Sequence, residues 1–172
     1  MIKQITRILT SFVLIIFLFP KLYAQNSIAE AQAIFIYNFT RLIEWPSDYK
    51  TGDFVIGVYN SGEVFTQISN YMNGKRVGSQ PIKIVKFNYI TEITKCHILF
   101  VSLNKTKDLP TLMGIAGKAL VITEKKGALN EGATINFVIV EDKLKFELKV
   151  SNATKNGLKV HSNLETMAIT TQ

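Results

Sequence analysis

Cysteine is nearly absent. Cys96 is the only one among 172 residues, so no internal disulfide can form and stability must come from packing. Histidine is almost as scarce, with His97 and His161 the only two. The sequence contains no H-E-x-x-H pair, no G-x-S-x-G turn and no phosphate loop ending in Gly-Lys-Ser/Thr, which removes the local signatures of zinc peptidases, serine hydrolases and P-loop enzymes. There is no internal repeat and no linker rich in Pro, Gly or Ser, so one domain is the simplest organisation. Beyond the first two dozen residues no apolar run approaches the length needed to cross a membrane.

The beginning of the chain has its own character. Lys3 and Arg7 precede the run "ILTSFVLIIFLF", and "KLYA" puts Leu22 and Ala24 where a cleavage site wants small or apolar residues. Residues 1–24 therefore read as a secretory signal peptide, cleaved before Gln25, with a retained N-terminal anchor as the alternative. The mature domain is then 25–172, placed in the periplasm. Loss of Lys3, Arg7 and Lys21 leaves seventeen basic and thirteen acidic residues, a mild excess of +4. That balance favours solubility and carries no nucleic-acid footprint.

Helical and extended patterns then alternate. A long helix runs from about Ser27 to Trp45, followed by a strand "FVIGVY" (54–59), a helix "EVFTQISNYMNG" stopping at Gly74, and a strand "PIKIVKF". "HILFVSL" and "ALVIT" are continuous apolar runs of the kind buried on both faces of a sheet, with the short helix "LPTLMGIAG" between them. Ala133–Val140 and Leu144–Val150 form a hairpin around Glu141-Asp142-Lys143, and a last helix from about Ser151 to Met167 bends at Gly157. The fold class is a single α/β domain with a mixed, mostly parallel sheet flanked by helices on both faces, closed by a C-terminal β-hairpin and helix.

Catalytic residues, cofactors and metals are not assigned from this inventory. Cys96 and His97 adjoin in one strand and so point to opposite faces, and a distant meeting of either with His161 has no local spacing behind it. Cys96, in an apolar run, reads as a buried thiol. The weak ligand-turn candidate is Asn60-Ser61-Gly62, where a strand enters a helix and backbone amides can cradle an anion; the preferred reading of the same letters is a helix cap.

The long helix raises a different possibility. Its apolar stripe is Ile28, Ala31, Phe35, Phe39, Leu42 and Ile43, yet Ile34, Tyr37 and Trp45 fall on the opposite side with Arg41 and Glu44. Either a second layer covers them or they form a contact surface. Ile34, Tyr37, Arg41 and Trp45, with Gly157, Leu158 and Leu164 second, are the candidates for a partner or dimer interface.

"YNFTRLIEWP", "IGVY", "CHILFVS", "INFVIVEDKLKFEL" and "NGLKVHSNLETMA" occur in an order and spacing that resembles the YfiR-like family of exported bacterial proteins, from about Ala29 to Ala168. The resemblance implies a non-enzymatic periplasmic regulator that restrains an inner-membrane signalling protein, a diguanylate cyclase of cyclic-di-GMP signalling or a sensor histidine kinase, through its periplasmic sensory domain. It also implies an outer-membrane partner and a homodimer. Glu131-Gly132 replaces the family's Gly-Gly, and Phe146-Glu147-Leu148-Lys149 departs at its last two positions. The rival readings are a periplasmic small-ligand binding module and a hydrolase assembled from distant residues.

Overall fold

The computed structural model describes residues 20–172, and side chains from residue 28 onward. The apolar stretch of the expected leader lies outside the described residues. Helix α1 spans Pro20–Leu42 and passes without a break into the two-residue strand β1, Ile43–Glu44. Then come β2 (Phe54–Tyr59), α2 (Gly62–Met72), β3 (Arg76–Val77) and β4 (Gln80–Phe87). The second half contains β5 (Ile98–Val101), α3 (Leu109–Ile115), β6 (Leu120–Thr123), β7 (Ile135–Val140) and β8 (Lys143–Leu148). It ends with α4 (Val150–Lys155), β9 (Lys159–Val160), α5 (Ser162–Met167) and β10 (Thr170–Thr171).

Among the described residues the main sheet has the order β10-β8-β7-β6-β5-β2-β4-β3. Neighbours from β4 across to β7 are parallel, whereas β8 and β3 run antiparallel to their inner neighbours. The expected mixed, mostly parallel α/β domain is what forms. All four residues of β5 and of β6 are buried, as their unbroken apolar runs require. On one face Phe54, Ile56, Ile98, Phe100 and Ile122 pack under α1 and α2. On the other, Leu99, Val101 and Val121 pack against Leu109 and Leu112 of α3.

Gly57, in the middle of β2, leaves room for an aromatic ring: a Cβ built there would lie 2.6 Å from Cε2 of the buried Phe87. At the β7–β8 hairpin Glu141 and Asp142 both adopt positive φ, 51° and 58°. Two left-handed residues in succession give the turn a twist that matches the strands it joins.

Two expectations need correction. The long helix does not reach Trp45; it stops at Leu42. Ile43–Glu44 is extended and pairs antiparallel with Val160 and Lys159 of β9. Side chains in an extended segment alternate, so Ile43 and Trp45 point inward, each 5% exposed, while Glu44 points out. The last segment is likewise not one bent helix. Gly157, at φ 74°, ends the turn after α4, and Leu158 and Leu164 are then buried, at 2% and 0% exposure.

Candidate functional site

Two of the most specific sequence features meet in one place. At the start of β5 the His97 ring stacks on Phe54 with centroids 4.2 Å apart. The Val55 amide donates to its Nδ1 at 3.0 Å, so the proton sits on Nε2, which donates to the Tyr49 carbonyl at 2.7 Å. The Trp45 indole N–H in turn donates to the His97 carbonyl at 3.0 Å. Burial, foremost, pushes the His97 pKa down and keeps the ring neutral. Both nitrogens are committed to backbone, so His97 is a clamp on the 47–49 turn. Cys96 beside it is buried, and burial pushes its thiol up to about 12. His161 is exposed and borders a shallow cavity of about 340 Å³ together with Glu44, Lys50 and Gln80. Glu44 pairs with Lys50 at 2.9 Å and with Lys159 at 3.9 Å, and the Lys50 hydrogen bond leads in holding its carboxyl below the usual range.

The opposite end of the sheet holds the carboxyl ends of the parallel strands. There the connection leaving β2 reaches β4 on one side, and the next strand, β5, lies on the other side of β2. Such a reversal is the usual place for ligands in open α/β sheets. Asn60, at φ 57°, turns the chain out of β2, and its Nδ2 donates to Asn104 Oδ1 at 3.1 Å. Ser61 caps α2 by accepting from the Val64 amide at 3.3 Å, and Gly62 is the first residue of that helix. The Asn60-Ser61-Gly62 turn is thus held by a cap and a side-chain clasp.

Beside it opens a cavity of about 580 Å³, bordered by α1, the segments after β5 and β6, the β7–β8 hairpin and Ile169. Two carboxylates face it, each fixed by a buried carboxamide. Gln32, 1% exposed, donates to Glu124 Oε2 at 2.9 Å. Asn136, fully buried, takes a hydrogen bond from Thr123 at 2.9 Å and donates to Glu147 Oε2 at 2.9 Å. Burial leads in raising the Glu124 pKa; Gln32 and the Leu103 backbone oppose it, and the neighbouring Glu63 adds to it. The rim is apolar and unusually open: Leu103, Ile139, Val140 and Ile169 are 58%, 51%, 40% and 46% exposed.

The sequence-derived interface residues scatter. Ile34 is 39% exposed, and Arg41 is exposed above Asn163 and Met167 of α5. Tyr37 is half-buried: the Tyr71 ring of α2 meets it edge-on at 5.8 Å, and the Lys75 ammonium lies 4.3 Å from its centroid. Its cover is α2, one form of the second layer that the sequence left open. Trp45, Leu158 and Leu164 are buried in the core, Trp45 bordering the cavity of about 340 Å³, and Gly157 is exposed in its turn. Glu124, Gln32, Asn136 and the apolar rim went unread. The one available signal was Ile139-Val140, where the hairpin's alternation gives way to two exposed apolar residues at its tip.

Among the described residues no helix is long and apolar enough to cross a membrane, and no group of three or more His, Cys, Asp or Glu gathers as metal ligands do. No curated protein matches the chain significantly. Residues 29–168 match the model of a family described as YfiR/HmsC-like. That span runs from the first buried alanine of α1 to just past α5 and takes in the Trp45–His97 clamp and both carboxylates of the cavity, so the chain belongs to the YfiR/HmsC-like family.

Proposed function

We propose that this protein is an exported regulator that acts by docking: it binds the extracytoplasmic part of a membrane-bound signalling protein, a diguanylate cyclase or a sensor histidine kinase, and holds it in one state. The leader-like residues 1–24 and membership of the YfiR/HmsC-like family support this reading. The observation that carries it is the ring of Leu103, Ile139, Val140 and Ile169, four large apolar side chains left 40% to 58% exposed around one cavity. Contiguous exposed apolar surface on a small domain is costly to keep and marks a contact. Binding shifts a partner's equilibrium only as far as its affinity differs between the partner's two states, so the regulator must prefer the inactive arrangement.

The test is reconstitution. The purified protein is titrated onto membranes carrying one cyclase or kinase from the same organism, and product formation is followed. Saturable inhibition that is lost in Leu103→Asp supports the reading. If every such enzyme of the organism is indifferent to the protein, the reading is wrong.

A further inference from the structure

The docking rim surrounds a floor that apolar contact alone does not explain. Glu124 and Glu147 come from different strands' ends, yet both line the same cavity of about 580 Å³, a volume suited to a small molecule. Each has one oxygen fixed by a carboxamide that is itself almost wholly buried, Gln32 at 1% and Asn136 at 0% exposure. Thr123 orients Asn136 in turn at 2.9 Å. Glu124 also meets the Leu103 backbone, and beyond these contacts neither carboxylate takes a further side-chain hydrogen bond among the described residues. Nearby, Glu63 Oε1 is buried without any partner, and the neighbours that set the state of Glu124 include this second acid and no cation. Of the residues lining the cavity, Glu124 and Glu147 are the acids and Lys126 the one cation, while the Lys86 ammonium lies outside it, 3.6 Å from a Cβ built at Gly62 beside Glu63. Burying carboxylates without a counter-charge is unfavourable, and a cation delivered from outside relieves it.

We propose that this cavity binds a small organic cation, an ammonium carried on an apolar body, with the ammonium between Glu124 and Glu147 and the apolar part against Phe137, Ile139 and Ile169. The site preorganises acceptors for N–H donors in a partly desolvated setting, where charge-assisted hydrogen bonds are strongest. An alcohol of the same shape offers one neutral donor, and a carboxylate of the same length is repelled. Resting on the docking reading, the inference adds regulation: a ligand seated here occupies the surface under the same rim and competes with the signalling partner.

The experiment uses the purified protein with labelled isoleucine methyl groups, titrated separately with n-hexylammonium, n-hexanol and hexanoate. The expected result is saturable shifts at Ile139 and Ile169 with hexylammonium, at a Kd at least tenfold below that for hexanol, and none with hexanoate. Glu124→Gln preserves the shape and the Gln32 contact, and is expected to weaken the amine at least tenfold while leaving hexanol unchanged. If Glu124→Gln does not fold by circular dichroism, Glu147→Gln carries the same requirement. Equal binding of amine and alcohol, or full amine binding by the folded variant, overturns the proposal. No signalling protein enters this titration, so its failure leaves the docking reading intact, and failure of reconstitution leaves the titration intact.

Discussion

The indole N–H of Trp45 donates to the main-chain carbonyl of His97, 3.0 Å away, across fifty-odd residues of chain. With the His97 ring bonded to the Val55 amide and the Tyr49 carbonyl, this one contact ties the end of α1 to the start of two central strands. Trp45→Phe keeps most of the buried surface and removes the donor, while the His97 carbonyl keeps its hydrogen bond from the Leu120 amide at 2.8 Å. Its expected cost is about 0.5–1.5 kcal/mol, read as a lower denaturation midpoint in urea, with docking activity retained.

Acid should loosen the same clamp. The folded-state pKa of His97 lies below its ordinary value of 6.5, so its contribution is fully present above 6.5 and is lost as pH falls through the lowered folded value. Stability measured by urea unfolding should start to decline below 6.5. His97→Gln, which has no such proton to take up, should flatten that part of the curve. A wild-type profile without any decline between 6.5 and the carboxylate range would contradict the neutral ring.

Glu124 has the opposite sign. Its folded pKa is raised, chiefly by burial, so its contribution is present below the ordinary value of 4.5 and is lost as pH rises through the raised folded value. Glu124→Gln should therefore melt at a higher temperature than wild type at pH 7 and lose that advantage near pH 4. A lower melting temperature at pH 7 would show that the charged form is being stabilised.

Gly57→Ala should be disruptive despite its single added carbon. The new Cβ meets the Phe87 ring at 2.6 Å in a sheet interior already filled by Leu99. Overpacking of this kind costs about 1–3 kcal/mol. Gly57→Ala combined with Phe87→Leu should recover a good part of the loss, because the clash is with the ring; no recovery would place the strain in the backbone.

Two apolar surfaces remain separable by substitution. Ile139→Asp, at a position 51% exposed, should shift stability by no more than about 0.5 kcal/mol and abolish docking. Ile34→Asp, on the outer side of α1, should be equally mild for stability and silent for docking. A reversed pattern would move the contact face to the α1–α2 surface around Tyr37 and Tyr71.

Much of the architecture was legible in the sequence because local pattern and tertiary setting agree. "HILFVSL" and "ALVIT" are apolar throughout since both faces of the sheet are covered, and Ser61 reads as a cap and is one. Trp45 was misplaced because a helical projection was carried three residues beyond the helix; Pro46 forbids α geometry to its predecessor, and extended geometry reverses the side-chain direction. Leu158 and Leu164 were misplaced because Gly157 separates two short elements that look like one helix when read by period alone. The cavity was not legible at all. Gln32, Leu103, Glu124, Glu147 and Ile169 come from five segments, and no spacing along the chain connects them.

The ribbon of Ile43–Glu44 with Lys159–Val160 joins positions more than a hundred residues apart. During synthesis the second half of that pair emerges more than a hundred residues after the first, and until then the carboxyl end of α1 has no strand to lean on. Closure of this ribbon is thereby postponed until β9 has left the ribosome.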